Sequence, residues 1–560
     1  MTLALAGVFG RLVQLQVVKA ASFEDLGSRQ RVHRVELPAK RGTIFDRNGV
    51  PLAMSIDARA IYANPQLITD PAGTAKAIAS LLGLQPALVQ GRLTRDAPFV
   101  YVARKVDLAT ADRVMALGLP GLGSLEETKR VYPAGSLASQ VIGVVGTDNV
   151  GLSGLEAGWN KVLSGVPGEE IVEQDPRGRP IPNGQSRIRP PIRGQDLVLT
   201  IDRDIQFAAE QALARAIVKT GANHGTAIVL DPHSGDVLAM ASWPPLDPNA
   251  FSTASPDLLR NRAVQDSYEP GSVNKVITAA AAIENHIADP SEILTIPNTL
   301  HVADKTFHDF ESHSTWRITY AEALARSSNI GTIEVAQRVG KQRLYDMLRR
   351  FGLGQKTDVG FPAESPGQLL DLPSWYSTSL ATIPIGQGIA VTPLQIARVY
   401  ATIANDGLSV RPRLVRIVGE TANSPEAPPL DPRRVISPGT AAQVRAMLVG
   451  VVEDGTGRNA RIPGYLIGGK TGTAQKPLDG SRGYSKDVMT TFVGMVPADA
   501  PRFVAAVVLD TPGTHISAVT AAPAFKEIVQ FVVGALDIPP SMDVPATEPA
   551  RAARNRTVRP

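Results

Sequence analysis

The 560-residue chain contains no cysteine. That excludes thiol catalysis, disulfide bonds and cysteine-ligated zinc. It also lacks a charge bias: 57 basic against 53 acidic residues leave a net charge of +4, which does not argue for a nucleic-acid partner. A third absence is a membrane-length apolar run, which takes about 20 residues. The nearest approach is residues 1–10, after which Arg11 interrupts and Leu12, Val13, Leu15, Val17 and Val18 resume around Gln14 and Gln16. No small-x-small cleavage site follows and no basic segment precedes, so a signal peptide fits poorly. Two readings stay open. The segment is the outer end of a transmembrane helix that starts outside this sequence, or a short apolar arm packed in the core; the first is favoured. The remaining composition is ordinary, with 43% apolar and 20% charged residues. The length suits roughly two to four domains, and a core that size needs no disulfide or metal staple.

The first part of the chain reads as scaffold. Asn48-Gly49 between apolar runs signals a hairpin turn, within Arg41-Gly42-Thr43-Ile44-Phe45-Asp46-Arg47-Asn48-Gly49. Residues 70–82 and 107–117 read as short helices, 151–163 as a Gly-opened helix, and 173–194 as hairpins or a linker. No catalytic constellation appears there. The pattern changes near Gln195. A strand at 196–201, a helix at 204–219 and strands at 225–230 and 236–241 follow. A mostly helical middle from 272 to about 405 comes next, then strands at 490–496 and 503–510 and a helix at 524–536. Strands and helices flanking a helical middle predict an α+β fold with an antiparallel sheet. Residues 538–560, with five prolines and four arginines, read as a disordered tail.

Three short elements carry chemistry. Tyr268-Glu269-Pro270-Gly271-Ser272-Val273-Asn274-Lys275 reads as a serine presented at a helix start, followed by alanine-rich helix to 285. Positions three apart share a helix face, so Lys275 stands beside Ser272, and a buried, neutral lysine can serve as the base that a serine nucleophile needs. Alone this is weak, because Ser-x-x-Lys arises about once by chance in a chain this long. In Arg326-Ser327-Ser328-Asn329, set between two helical stretches, one reading is a simple N-cap and the other points a hydroxyl and an amide into a cleft. Lys470-Thr471-Gly472-Thr473 fits an edge strand lining a site, with Gly472 allowing close approach; the plain alternative is an edge strand with a solvated lysine.

The order Ser-x-x-Lys, Ser-x-Asn, Lys-Thr-Gly resembles that of the penicillin-binding transpeptidases. The block Arg41–Gly49 is similar to one in the N-terminal pedestal of class B, monofunctional members, and Gly386-Gln387-Gly388-Ile389-Ala390-Val391-Thr392-Pro393-Leu394-Gln395 is similar to family text as well. Glu269 resembles the division-type (FtsI-like) branch, where the elongation type tends to carry a second proline. Family members have a full N-terminal membrane helix, and here only what resembles its outer end is present. The resemblance implies a partial anchor at 1–19, a pedestal at 20–194, a transpeptidase domain at 195–537 and the tail at 538–560.

It also implies a mechanism and partners. Ser272 is the nucleophile and Lys275 its base. Ser327 relays a proton, Asn329 positions the donor amide, and Lys470 adds positive potential. Thr471, Gly472 and Thr473 line the substrate strand, and the backbone N–H groups of Ser272 and Thr473 form the oxyanion hole. No metal or cofactor is required. The implied ligands are peptidoglycan stem peptides and β-lactams. The implied protein partners are a membrane glycosyltransferase of the shape, elongation, division and sporulation family and other division proteins, on the outer side of the bacterial cytoplasmic membrane. Arg41 and Asp46 are candidate contacts for such a partner, although a structural role in the hairpin is the plainer reading.

Overall fold

The computed structural model describes residues 2–19, 31–173, 181–182, 186–419, 432–478 and 483–541. The chain opens on helix α1 (Thr2–Val13), which runs into a π-helical turn at Gln14–Val18. Val8, Phe9, Leu12, Val17 and Val18 are exposed, so the packed-arm reading of the N-terminus fails. Among the described residues no helix is long and apolar enough to cross a membrane.

The pedestal is built on the expected hairpin. Strands β1 (Ile44–Phe45) and β2 (Pro51–Ala63) pair antiparallel across Asn48-Gly49. The Asp46 carboxylate closes the turn by accepting from the N–H groups of Asn48 (2.9 Å) and Val50 (2.7 Å), as aspartates in turns do. Strands β3 (Val100–Val106) and β4 (Leu122–Val131) pair with β2. The expected short helices form at Pro71–Ala79 and Leu108–Met115, capped by Asp70 and Asp107.

The sheet does not stop where the composition changes. β5 (Leu197–Leu199) runs parallel to β1, and β8 (Val415–Val418) pairs with β5 on its far side. A division drawn after residue 194 therefore passes through one hydrogen-bonded sheet. Leu197, Val198 and Leu199 are buried in it, and strand pairing is a non-local fact that local composition does not report.

Charge holds the pedestal beside this sheet. Arg41 is buried and donates to Glu156 Oε2 (2.5 Å), Glu156 O (2.6 Å), Asn160 Oδ1 (2.7 Å) and Ser164 Oγ (2.8 Å). Arg130 donates to the other Glu156 oxygen (2.7 Å) and to Gly42 O (2.7 Å). Asp46 is also buried. These side chains face inward, so the idea of Arg41 and Asp46 as partner contacts is overturned: their charges hold the pedestal together.

The catalytic unit is a five-stranded antiparallel sheet in the order β7 (Val237–Trp243), β6 (His224–Leu230), β11 (Phe503–Asp510), β10 (Tyr484–Val496), β9 (Gly468–Pro477). Alternate residues face two cores. Ala227, Val229, Ala505 and Val507 pack against α2 (Arg203–Thr220) and α7 (Ala521–Ala535). Ile228, Val504, Ala506 and Val508 join the core of α3 (Lys275–Glu284) and α6 (Pro393–Ala404). α3 is buried all round, with 0% exposure from Val276 to Ala282, as its alanine-rich sequence requires. The middle is less purely helical than its pattern predicts. It carries two strand pairs, Ile293–Ile296 with Trp316–Thr319 and Thr299–Val302 with Lys305–His308. The tail begins later than expected: Ile538 is buried in a core and Ser541 Oγ donates to Asp499 (2.8 Å), while 542–560 lies outside the described residues.

Removing one partner of a buried ion pair costs about 3–5 kcal/mol. Arg41→Ala is therefore expected to lower the thermal midpoint and soluble yield. A variant that melts like the wild type would show that the network does not hold the pedestal together.

Candidate active site

Pro270 and Gly271 turn the chain into a 3₁₀ turn, Gly271–Asn274, that runs straight into α3. The helix starts two residues later than its propensity suggests. In a 3₁₀ turn residues three apart eclipse each other, so Ser272 and Lys275 sit one above the other. Ser272 is half-buried and Lys275 is fully buried.

The Ser-Ser-Asn junction serves both purposes open to it. Helix α4 (Tyr320–Ala325) is closed at its start by a capping box between Thr319 and Glu322. Ser328 is the N-cap of α5 (Asn329–Val339), accepting from Gly331 N at 2.9 Å. Ser327 and Asn329 turn the other way, toward the buried lysine. Ser327 does so with φ +60°, a left-handed backbone that costs a non-glycine residue energy.

Lys275 Nζ donates to Ser327 O (2.5 Å) and to Asn329 Oδ1 (2.8 Å). The amide oxygen is aimed there because Asn329 Nδ2 donates to His308 O (2.8 Å). Two acceptors use both hydrogens of a neutral amine and leave its lone pair for another proton. Burial pushes Lys275 down to about 7, against the opposing pull of Asp309. An ordinary lysine would be neutral in about one molecule in a thousand near pH 7.5. No hydrogen bond joins Ser272 to Lys275 among the described residues, and such contacts often tighten only with substrate bound.

β9 is the outermost strand of the sheet and lies against the Ser272 turn. A Cβ at Gly472 would meet Pro270 O and Val273 Cγ1 at 2.9 Å, so only glycine allows this approach. Lys470 is fully buried and donates to Ser327 Oγ (2.9 Å) and Thr471 O (3.2 Å). Burial, then the charge of Lys275, holds it well below its ordinary value. One serine hydroxyl thus lies between two lysines, with Lys275 Nζ at 3.4 Å. Thr471 Oγ1 meets Thr456 Oγ1 at 2.8 Å, and Thr473 Oγ1 donates to Ser517 Oγ at 3.3 Å. All eight residues singled out in the sequence lie at this junction of sheet edge, 3₁₀ turn and helix start.

Sequence reasoning missed Asp309, Thr456 and Ser517. None stands near a motif, and only the folded chain carries them there. The role of Glu269 was also unseen. It accepts from Gly388 N (2.8 Å) and Tyr484 OH (3.1 Å), and burial pushes its carboxyl up.

Comparison with known proteins shows the family. Residues 225–530 match the penicillin-binding protein transpeptidase domain, and residues 36–199 match the penicillin-binding protein dimerisation domain. The chain belongs to the penicillin-binding protein transpeptidases. It is 38% identical to penicillin-binding protein PbpB of Mycobacterium tuberculosis, over 95% of this chain and 83% of that one. It is 33% identical to peptidoglycan D,D-transpeptidase FtsI of Escherichia coli, over 96% and 91%. The solved structure of penicillin-binding protein 3 from M. tuberculosis in complex with aztreonam superposes with a TM-score of 0.72 at 34% identity, over 90% of this chain and 98% of that one. The same protein has been solved with ampicillin, again at a TM-score of 0.72.

Two outcomes follow from the geometry of this penicillin-binding protein. Only neutral Lys275 accepts a proton. Penicillin acylation is therefore expected to fall about tenfold per pH unit below the lysine's midpoint of about 7 and to level off above it; stopped-flow acylation from acid to alkaline pH checks this. Gly472→Ala pushes β9 off the Ser272 turn, and a displacement of about 1 Å costs up to a hundredfold in rate. The same assay, with circular dichroism as a fold control, measures it.

Proposed function

We propose that this chain cross-links peptidoglycan stem peptides as a class B, serine-type D,D-transpeptidase, with Ser272 carrying the acyl group. The observation that carries the reading is Lys275, buried and hydrogen-bonded to Ser327 O and Asn329 Oδ1, one 3₁₀ turn from Ser272. Ser272 Oγ attacks the penultimate D-Ala carbonyl of a donor ending in D-Ala-D-Ala, and its proton passes to Lys275. The N–H groups of Ser272 and Thr473 hold the oxyanion. The C–N bond breaks, and the departing D-Ala nitrogen takes a proton through Ser327, which both lysines reach. Thr471 and Thr473 bind the donor carboxylate beside Lys470, and Asn329 aligns the donor amide. An amine of a neighbouring stem then attacks the ester, forms the cross-link and returns the proton to Ser272. A β-lactam presents the same carbonyl and leaves Ser272 acylated.

Likeness to FtsI and PbpB, together with Glu269, supports septal over elongation duty. The exposed apolar side chains of α1 support an outer-end membrane anchor; with such an anchor the catalytic unit lies outside the cytoplasmic membrane. The pedestal is the surface for a membrane glycosyltransferase of the shape, elongation, division and sporulation family.

A fluorescent penicillin with intact mass spectrometry tests the nucleophile: a stable adduct on the wild type and none on Ser272→Ala is expected. Incubation with a D-Ala-D-Ala donor and an amine acceptor is expected to yield a cross-linked product. Free D-Ala alone would make the chain a carboxypeptidase.

A further inference from the structure

We propose that Asp309 and His313 form a buried ion pair that positions Ser327 and Asn329 and sets the charge on Lys275; the proposal rests on Lys275 being the base for Ser272. Neither residue belongs to the three motifs. The Thr299–Val302/Lys305–His308 hairpin delivers Asp309 to the N-terminus of α5. Its Oδ1 accepts from Asn329 N (2.5 Å) and Ile330 N (3.1 Å). Its Oδ2 accepts from Ser328 Oγ (2.7 Å) and lies 3.1 Å from His313 Nε2. The Ser328 hydroxyl already accepts from Gly331 N, so its single hydrogen goes to Asp309. Four donors on two oxygens describe a carboxylate, held where a helix dipole favours negative charge.

His313 faces acceptors on both sides. Nε2 meets Asp309, and Nδ1 lies 2.5 Å from Ser314 O. A neutral imidazole satisfies one of these and an imidazolium satisfies both. The ring stacks on Trp316 at 3.6 Å, which also lies under the Arg326 guanidinium at 5.0 Å. The side chains of Asp309 and His313 are only 4% and 5% exposed, so their charges are poorly screened.

The pair acts on the site twice. Asp309 pins the first turn of α5, and its neighbour His308 aims the Asn329 amide at Lys275. It also contributes charge. The groups facing Lys275 are Lys470 from β9, Ser327 and Asn329 from the junction, and Asp309 with His313 behind it. Glu334 follows on α5, its carboxyl pushed up by burial and then by Asp309, with Arg338 next to it. Of these, Asp309 favours the protonated form of Lys275, and the His313 cation offsets it. The two members of the pair therefore pull Lys275 in opposite directions.

Acylation of the full chain by a penicillin, followed against pH, reads this out. Asp309→Asn is expected to lower the midpoint of the acidic limb by about half a unit or more, and His313→Gln to raise it by a similar amount. Asp309→Glu and His313→Lys, which keep the charge, are expected to return it toward the wild-type value. A purely structural role changes the plateau rate and leaves the midpoint in place. Midpoints that stay put, or that move in the same direction, overturn the proposal. If Asp309→Asn fails to fold by thermal melting, His313→Gln decides alone: a raised midpoint supports the pair and an unmoved one overturns it. A wild type that acylates with no acidic limb refutes the base assignment instead.

Discussion

Everything in the catalytic unit depends on removing the charge from a lysine. Water stabilises an ammonium strongly, so the group must be taken out of water on every side. No single segment can do that. α3 supplies an apolar surround, the Ser-Ser-Asn junction supplies two acceptors, and the edge of β9 closes the remaining side. The cost of burying Lys275 and Lys470 is carried by the cores on the two faces of the sheet, where α3 and α6 pack on one side and α2 and α7 on the other. The reactive site is thus a property of the interface between sheet and helices.

The same physics has the opposite result in the pedestal. Arg41 is nearly as deeply buried as the two lysines and Arg130 is half-buried beside it, yet they share the Glu156 carboxylate, and nearly every donor finds an acceptor. A guanidinium is a stronger base than an ammonium and presents a planar fork that matches a carboxylate. Paired in this way it keeps its charge and serves as a rivet. A lysine given neutral acceptors, with its nearest carboxylate committed to a helix N-terminus, is pushed by burial toward its neutral form. Residue choice therefore separates scaffold from chemistry in two buried places. The shared sheet through β1, β5 and β8 then couples the two units by backbone hydrogen bonds.

Local strain marks where the site was assembled at the expense of comfort. Ser327 sits at φ +60°, which puts its carbonyl on Lys275 and its hydroxyl between two lysines. Gly386 packs on the Gly271 backbone so tightly that a Cβ there would lie 2.1 Å from Gly271 O. The Gly-Gln-Gly stretch, met in the sequence only as family text, turns out to be the floor beneath the Ser272 turn.

The sequence by itself determined the order of the motifs, the i to i+3 relation of Ser272 and Lys275, the hairpin at Asn48-Gly49, and most helices and core strands. These rest on short-range rules: turn chemistry, caps and hydrophobic period. Both readings of the Ser-Ser-Asn junction were visible, since capping and presentation are local as well. Tertiary structure alone decided that Arg41 and Asp46 face inward, that β5 and β8 join the pedestal sheet, and that Asp309 and His313 stand behind Asn329. Those are pairings between distant segments. The loss of charge on Lys275 belongs with them, because desolvation is set by what surrounds a side chain and not by its neighbours in the chain.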